Sequence, residues 1–178
     1  RERLGLYVGD VPDQLRDAIP VEMAPLERWA LGDRLLEARL AGVSLARAAA
    51  AERGRGLLPP GALGEAALND VTGVVEALVV EVEGLPCSQA AAVPVEVDIT
   101  LPDGTSLVGT VPGVLQGTVV LRCTYSKLRP KHRLRAWAHF LALSAAHPGL
   151  APSGITIGQA EGSSGARPRI SAARLSPL

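Results

Sequence analysis

Six cationic side chains, Arg122, Lys127, Arg129, Lys131, Arg133 and Arg135, crowd one short stretch, and no Asp or Glu stands between Gly104 and Ala160. Cations at this density suit phosphate binding, because contacts to a nucleic-acid backbone need only positive side chains that can reach it. The same gap withholds the carboxylates that Mg²⁺-dependent chemistry would need here. Residues 1–103 hold 9 Lys/Arg and 17 Asp/Glu, whereas residues 104–178 hold 9 and 1. A formal net charge of zero therefore hides two opposed halves, and such asymmetry points to a partner that reads one of them.

Other chemistry finds less support. Glu96, Asp98 and Asp103 are the acids nearest the basic stretch, but Glu96 and Asp98 alternate with Val95, Val97 and Ile99 as solvent-facing strand residues do. His132, His139 and His147 have no acid or cysteine in step with them, and His139 reads as a surface or subunit-contact residue. Cys87 and Cys123 make neither a disulfide framework nor a zinc spacing. With no signal-peptide pattern and no apolar run long enough to span a membrane, they read as reduced thiols of a cytoplasmic protein. No P-loop, GxGxxG or Ser-His-Asp arrangement is present. No cofactor is expected.

The basic stretch has three readings: a DNA path, a solvated loop and helix start, or the complement of an acidic neighbour. Arg129, Lys131 and Arg133 stand at the N-terminal end of a helix, where the macrodipole disfavours cations, and this favours an anionic partner. Lys127 and Tyr125 can grip a phosphate or stack on a base, and Tyr125 can equally cover a sheet edge.

The elements that must hold these residues follow from spacing and caps. A helix is expected from Pro25 until Gly42 stops it, then a second from Leu45 to about Arg53, capped by Ser44. Trp29, Leu31 and Leu35 do not share one stripe, so the first helix should contact material on two sides. A third helix runs from Ala62 to about Val82, its last turns also compatible with a strand. Pro86–Pro94 reads as a linker. Strands follow at 95–100, 106–111 and 118–124, with Asp103-Gly104 as a hairpin turn and Gly113–Gly117 as the next. A mostly buried helix is expected from Lys131 to Ala146, its core stripe Leu134, Trp137, Ala138, Leu141 and Ala145, widened by Phe140 and Leu143 so that only a narrow polar strip near Arg135 and His139 remains. Ile155–Ile157 reads as a last strand, and Gly162–Gly165 as a flexible linker before a tail. The order gives an α+β or α/β/α fold, divided into a helical lead-in over 1–85, a β-meander and helix core over 86–160, and a flexible tail over 161–178. The chain begins Arg1-Glu2-Arg3 with no Met, as expected of a piece of a longer protein.

Several segments resemble the C-terminal region of the exodeoxyribonuclease V gamma subunits, the RecC family. They are Arg3–Tyr7, Leu26–Leu31, Leu35–Ala38, Leu58–Gly61 with Gly64-Glu65, Leu107–Gly109, Ser126–Leu128, Leu134–Trp137 and His139–Leu143. The resemblance covers most of residues 1–147, and the stretch after Ala151 matches poorly. It implies a degenerate PD-(D/E)xK, restriction-endonuclease-like fold. An active relative would carry Asp where Pro112 stands, Glu-x-Lys near Arg122-Cys123-Thr124, and a metal-binding His where Leu68 stands. It implies no catalysis, a role in guiding and splitting DNA during double-strand break repair by recombination, and RecB- and RecD-type partner subunits. An active Mg²⁺-dependent nuclease and a docking domain that never touches DNA are the alternatives.

Overall fold

A computed structural model describes residues 22–177. The Arg3–Tyr7 motif lies outside the described residues. Pro25 occupies the first turn of α1 (Pro25–Leu40), where its missing N–H costs nothing. The Ala24 N–H donates to Glu27 Oε2 at 3.1 Å, and Gly42 takes φ +84° beyond the helix end. Ser44 caps α2 (Leu45–Gly54) as expected, accepting from the Arg47 N–H. The ambiguous end of the third helix resolves as helix: α3 runs Gly61–Glu83, with Val71, Val74, Val75, Leu78 and Val82 buried along one side.

The strands are β1 (Val93–Thr100), β2 (Ser106–Leu115), β3 (Val119–Lys127), β4 (Ser153–Gln159) and β5 (Ile170–Leu175), with α4 (Pro130–Ala146) crossing from β3 to β4. They form one sheet in chain order, antiparallel except for the parallel β3–β4 pair. The Asp103-Gly104 turn is present, Gly104 at φ +83° and the Thr105 N–H donating to Asp103 Oδ1 at 2.9 Å. The following turn is tighter than expected. β2 continues through Gly113 to Leu115, and three residues, Gln116 (φ 51°), Gly117 (φ 72°) and Thr118, reverse the chain.

Helices cover both sheet faces. On one, α1–α3 pack Leu31, Leu35, Leu68 and Val75 against Leu115, Tyr125, Ile155 and Ile157; on the other, Leu143 of α4 meets Val97, Val111, Val114 and Val120. The alternation of Val114 with Leu115, and of Val120 with its neighbours, divides the strands between two cores.

Three expectations need correction. The stretch from 161 is not all tail: β5 pairs with β4 from Gly154–Leu175 to Gln159–Ile170. Gly162–Gly165 is docked, since a Cβ on Gly165 would stand 2.6 Å from the Asp70 carbonyl oxygen. And α4 is rotated from its expected setting. Phe140 and Leu143, expected only to widen the apolar face, are buried with Ala136, whereas the stripe residues Leu134, Trp137, Ala138 and Ala145 are exposed. The helix is apolar on two sides, so composition alone could not tell which one the sheet would take.

Candidate nucleic-acid interface

β2 stays beside β3 for only two residue pairs, Leu115–Val119 and Val114–Val120, and then leaves with β1. Gly113 stands at the fork, where a Cβ would stand 2.5 Å from the Leu121 carbonyl oxygen. Beyond it the edge of β3 facing β2 has no strand partner among the described residues. A cavity of about 550 Å³ opens there, and three consecutive residues, Arg122, Cys123 and Thr124, line it. Successive strand residues point to opposite faces, so a cavity touching all three runs along the edge. Its walls come from both helical layers: Trp29, Asp33 and Glu37 of α1 on one side, Lys131, His132 and Arg135 of α4 on the other.

A second cavity, of about 320 Å³, shares Trp29, Ser126, Lys131 and His132 with the first and adds Tyr125, Lys127, Arg129 and Gln159. Together they make one groove around the Trp29 indole. The ring is held by its Nε1–H, which donates to Ser126 Oγ at 2.8 Å, while 41% of the residue remains exposed.

Five of the six basic residues line this groove; Arg133, also exposed, lines neither part. Their electrostatic situation differs from that of four arginines in the N-terminal half. Arg28 pairs with Asp70 at 2.5 Å, Arg34 with the buried Glu52 at 2.6 Å, Arg39 with Glu76 at 2.8 Å and Arg53 with Glu65 at 2.7 Å. Among the described residues Arg122, Arg129, Lys131, Arg133 and Arg135 make no ion pair, and Lys127 meets Glu161 at 3.3 Å. Asp33 and Glu37 temper the groove's potential without pairing with its cations.

The groove is strained in the direction an anion would relieve. Burial, then the Arg135 charge, lowers the Arg122 pKa, although a guanidinium stays protonated. His132 Nδ1 accepts the Arg129 N–H at 3.1 Å, fixing the start of α4. Burial first, then Lys131, Arg122 and Arg129, hold its imidazolium below the usual range. His139, half-buried, is lowered by burial, Arg122 and Arg135, and its Nδ1 is buried without a partner.

The remaining candidates settle into structural roles. Burial pushes the Cys123 thiol up to about 12, so it is no thiolate nucleophile. Tyr125 is 7% exposed, its ring laid over Gly32, and offers no face for stacking; the exposed aromatic in the groove is Trp29. The signal for Trp29 was its place off the apolar stripe of α1. Asp103 is lowered chiefly by the Thr105 N–H it accepts, as a turn residue. Leu68 is 1% exposed in the core. Among the described residues no three of His, Cys, Asp and Glu converge as a metal site, and no helix is long and apolar enough to cross a membrane.

The chain matches a family model described as the RecC C-terminal domain over residues 1–176. The match therefore takes in β4 and β5, beyond the limit near residue 147 that the shared motifs suggested. Two proteins from Mycobacterium tuberculosis strains, each described as RecBCD enzyme subunit RecC, are 37% identical to it over 149 residues, 84% of this chain and 13% of theirs. A protein of the same description from Mycolicibacterium smegmatis is 41% identical over 135 residues, 74% of this chain and 12% of its own. The chain thus spans about an eighth of the length of these relatives.

Proposed function

The chain belongs to the RecC C-terminal domain family, and from that premise we propose that it is a non-catalytic, nuclease-like domain that guides DNA within a RecBCD-type helicase–nuclease complex. Its work would be double-strand break repair by recombination in the cytoplasm, beside RecB- and RecD-type subunits. The observation that carries this reading is the groove. It gathers five cations, four of them without an ion pair among the described residues, around an exposed indole along an open strand edge. Phosphates need the cations and bases need a π-face, and neither asks for a metal.

The fold is read as a degenerate PD-(D/E)xK domain because an antiparallel meander leads through a helix into a parallel strand. Its fork also falls where an active relative would keep its acids. Pro112 adjoins Gly113 at that fork, and Arg122-Cys123-Thr124 lie opposite on β3. These side chains offer cations and apolar surface where Mg²⁺ would need oxygen ligands. Leu68, in place of the family histidine, is core.

The test is binding of the purified chain to a labelled forked duplex with Mg²⁺ at low and moderate salt. Salt-dependent binding without cleavage is expected. Metal-dependent cleavage abolished by Asp98→Ala would replace this reading with an active nuclease. No binding even at low salt would leave a docking domain that does not touch DNA.

A further inference from the structure

The two apolar sides of α4 lie about opposite each other at the 100° per residue of a helix. Ala136, Phe140 and Leu143 occupy the sheet side. The other side carries Leu134, 62% exposed, and Trp137, 47% exposed, with half-buried Leu141 between exposed Ala138 and Ala145. No described element covers it, yet an apolar stripe along a helix is normally one that packs against a partner.

The spacing identifies what fits there. Leu134, Ala138, Leu141 and Ala145 follow a four-three-four interval, the seam along which helices pack, and the alanines let a partner helix approach closely. The charges identify its chemistry. Arg133 borders the seam on one side and Lys131 on the other, both exposed and without an ion pair among the described residues, and α4 contains no acid. A second copy of α4 would bring only more cations to these flanks.

We infer that the outer side of α4 docks an amphipathic helix whose apolar stripe is bordered by carboxylates. This gives a place to Arg133, the one cation the groove leaves out. The seam and the groove share Lys131 at their common edge, so docking is tested through Leu134 and Arg133, which the groove does not use.

The experiment uses the full chain carrying Trp29→Phe, so that Trp137 is the sole indole, and two synthetic helical peptides sharing a Leu/Ala seam, one flanked by Glu and one by Lys. The Glu-flanked peptide is expected to bind saturably and shift Trp137 emission to the blue. Leu134→Glu should weaken it at least about tenfold, the loss of one seam contact and a like-charge addition, and Arg133→Glu should move the preference toward the Lys-flanked peptide. Leu134 is exposed, and an unchanged melting curve verifies that each variant folds. Equal binding of both peptides, or binding of neither, would overturn the inference. So would a concentration-dependent dimer with Trp137 already shifted, because a second copy would then be the occupant.

Discussion

Neutralising single cations in the groove should change the salt dependence of DNA binding by amounts the structure sets. Five cations line it, and Glu161 already holds Lys127, leaving four to meet phosphates. Each phosphate neutralised on a single strand adds about 0.7 to the slope of log K against log salt, so four give about −2.8. Raising salt from about 50 to 200 mM should then weaken binding about 50-fold. Lys131→Ala should reduce that loss to about 18-fold and the Lys131→Ala/Arg135→Ala pair to about 7-fold. Arg133→Ala, outside the groove, should leave the slope unchanged. Glu161→Gln acts in the opposite direction: it frees Lys127, steepening the slope to about −3.5 and the loss to about 130-fold. Fluorescence anisotropy of a labelled oligonucleotide, titrated with salt for each variant, reads these slopes directly. A slope untouched by Lys131→Ala, or lowered as much by Arg133→Ala, would refute the assignment of the groove.

Trp29→Ala should cost about 1–3 kcal/mol of single-strand affinity through lost base stacking while leaving the salt slope unchanged; a changed slope with no loss of affinity would remove the indole from the site. Gly32→Ala reverses the usual sign for a helix. In open space it would gain about 1 kcal/mol, but the new methyl would overlap the Tyr125 ring, and overpacking costs about 1–3 kcal/mol. Denaturant unfolding should show net destabilisation that largely disappears in a Tyr125→Leu background. For pH, burial and Arg122 hold both His132 and His139 below the ordinary imidazole range. The unfolded chain then takes up protons first, so stability should fall as pH drops below about 6.5, while binding of an anion to the groove should tighten over the same interval. Melting at about pH 7.5 and 5.5 should show a smaller acid loss in His132→Asn/His139→Gln than in the parent chain; an identical loss would place its source in other groups.

What the sequence made legible was what neighbouring residues decide. Pro25 and Gly42 bound α1, Ser44 caps α2, and the alternation around Val97 gives β1 its buried side because each is settled within a few residues. β5 was not legible: Ile-Ser-Ala-Ala-Arg-Leu has little β-branched character, and its strand exists through backbone pairing with β4. Which of Tyr125's two readings holds, stacking on a base or packing on the sheet, was not legible for a similar reason. The ring that packs is the one opposite a residue with no Cβ, and Gly32 meets Tyr125 across 93 residues of chain, which no local pattern records. The cations were legible as a cluster, but their convergence was not, because it depends on β2 leaving β3 after two pairs and on α1 and α4 closing over the gap from opposite layers.

The rotated stripe of α4 is the instructive case. Leu134, Trp137 and Leu141 were read as core because their spacing is that of a packed seam, and that reading of the spacing stands. What failed was the assumption that the partner of every apolar seam lies within the same stretch of chain. Ala136, Phe140 and Leu143 supply the contacts the sheet needs, so the stronger-looking stripe is left facing outward. Had α4 turned its leucine seam to the sheet, Phe140 would have been carried toward solvent, and Lys131 and Arg135 would have rotated away from the open edge of β3. The setting that buries Phe140 therefore also directs those two cations into the groove and frees the opposite side for a second contact. One rotation of one helix fixes both surfaces.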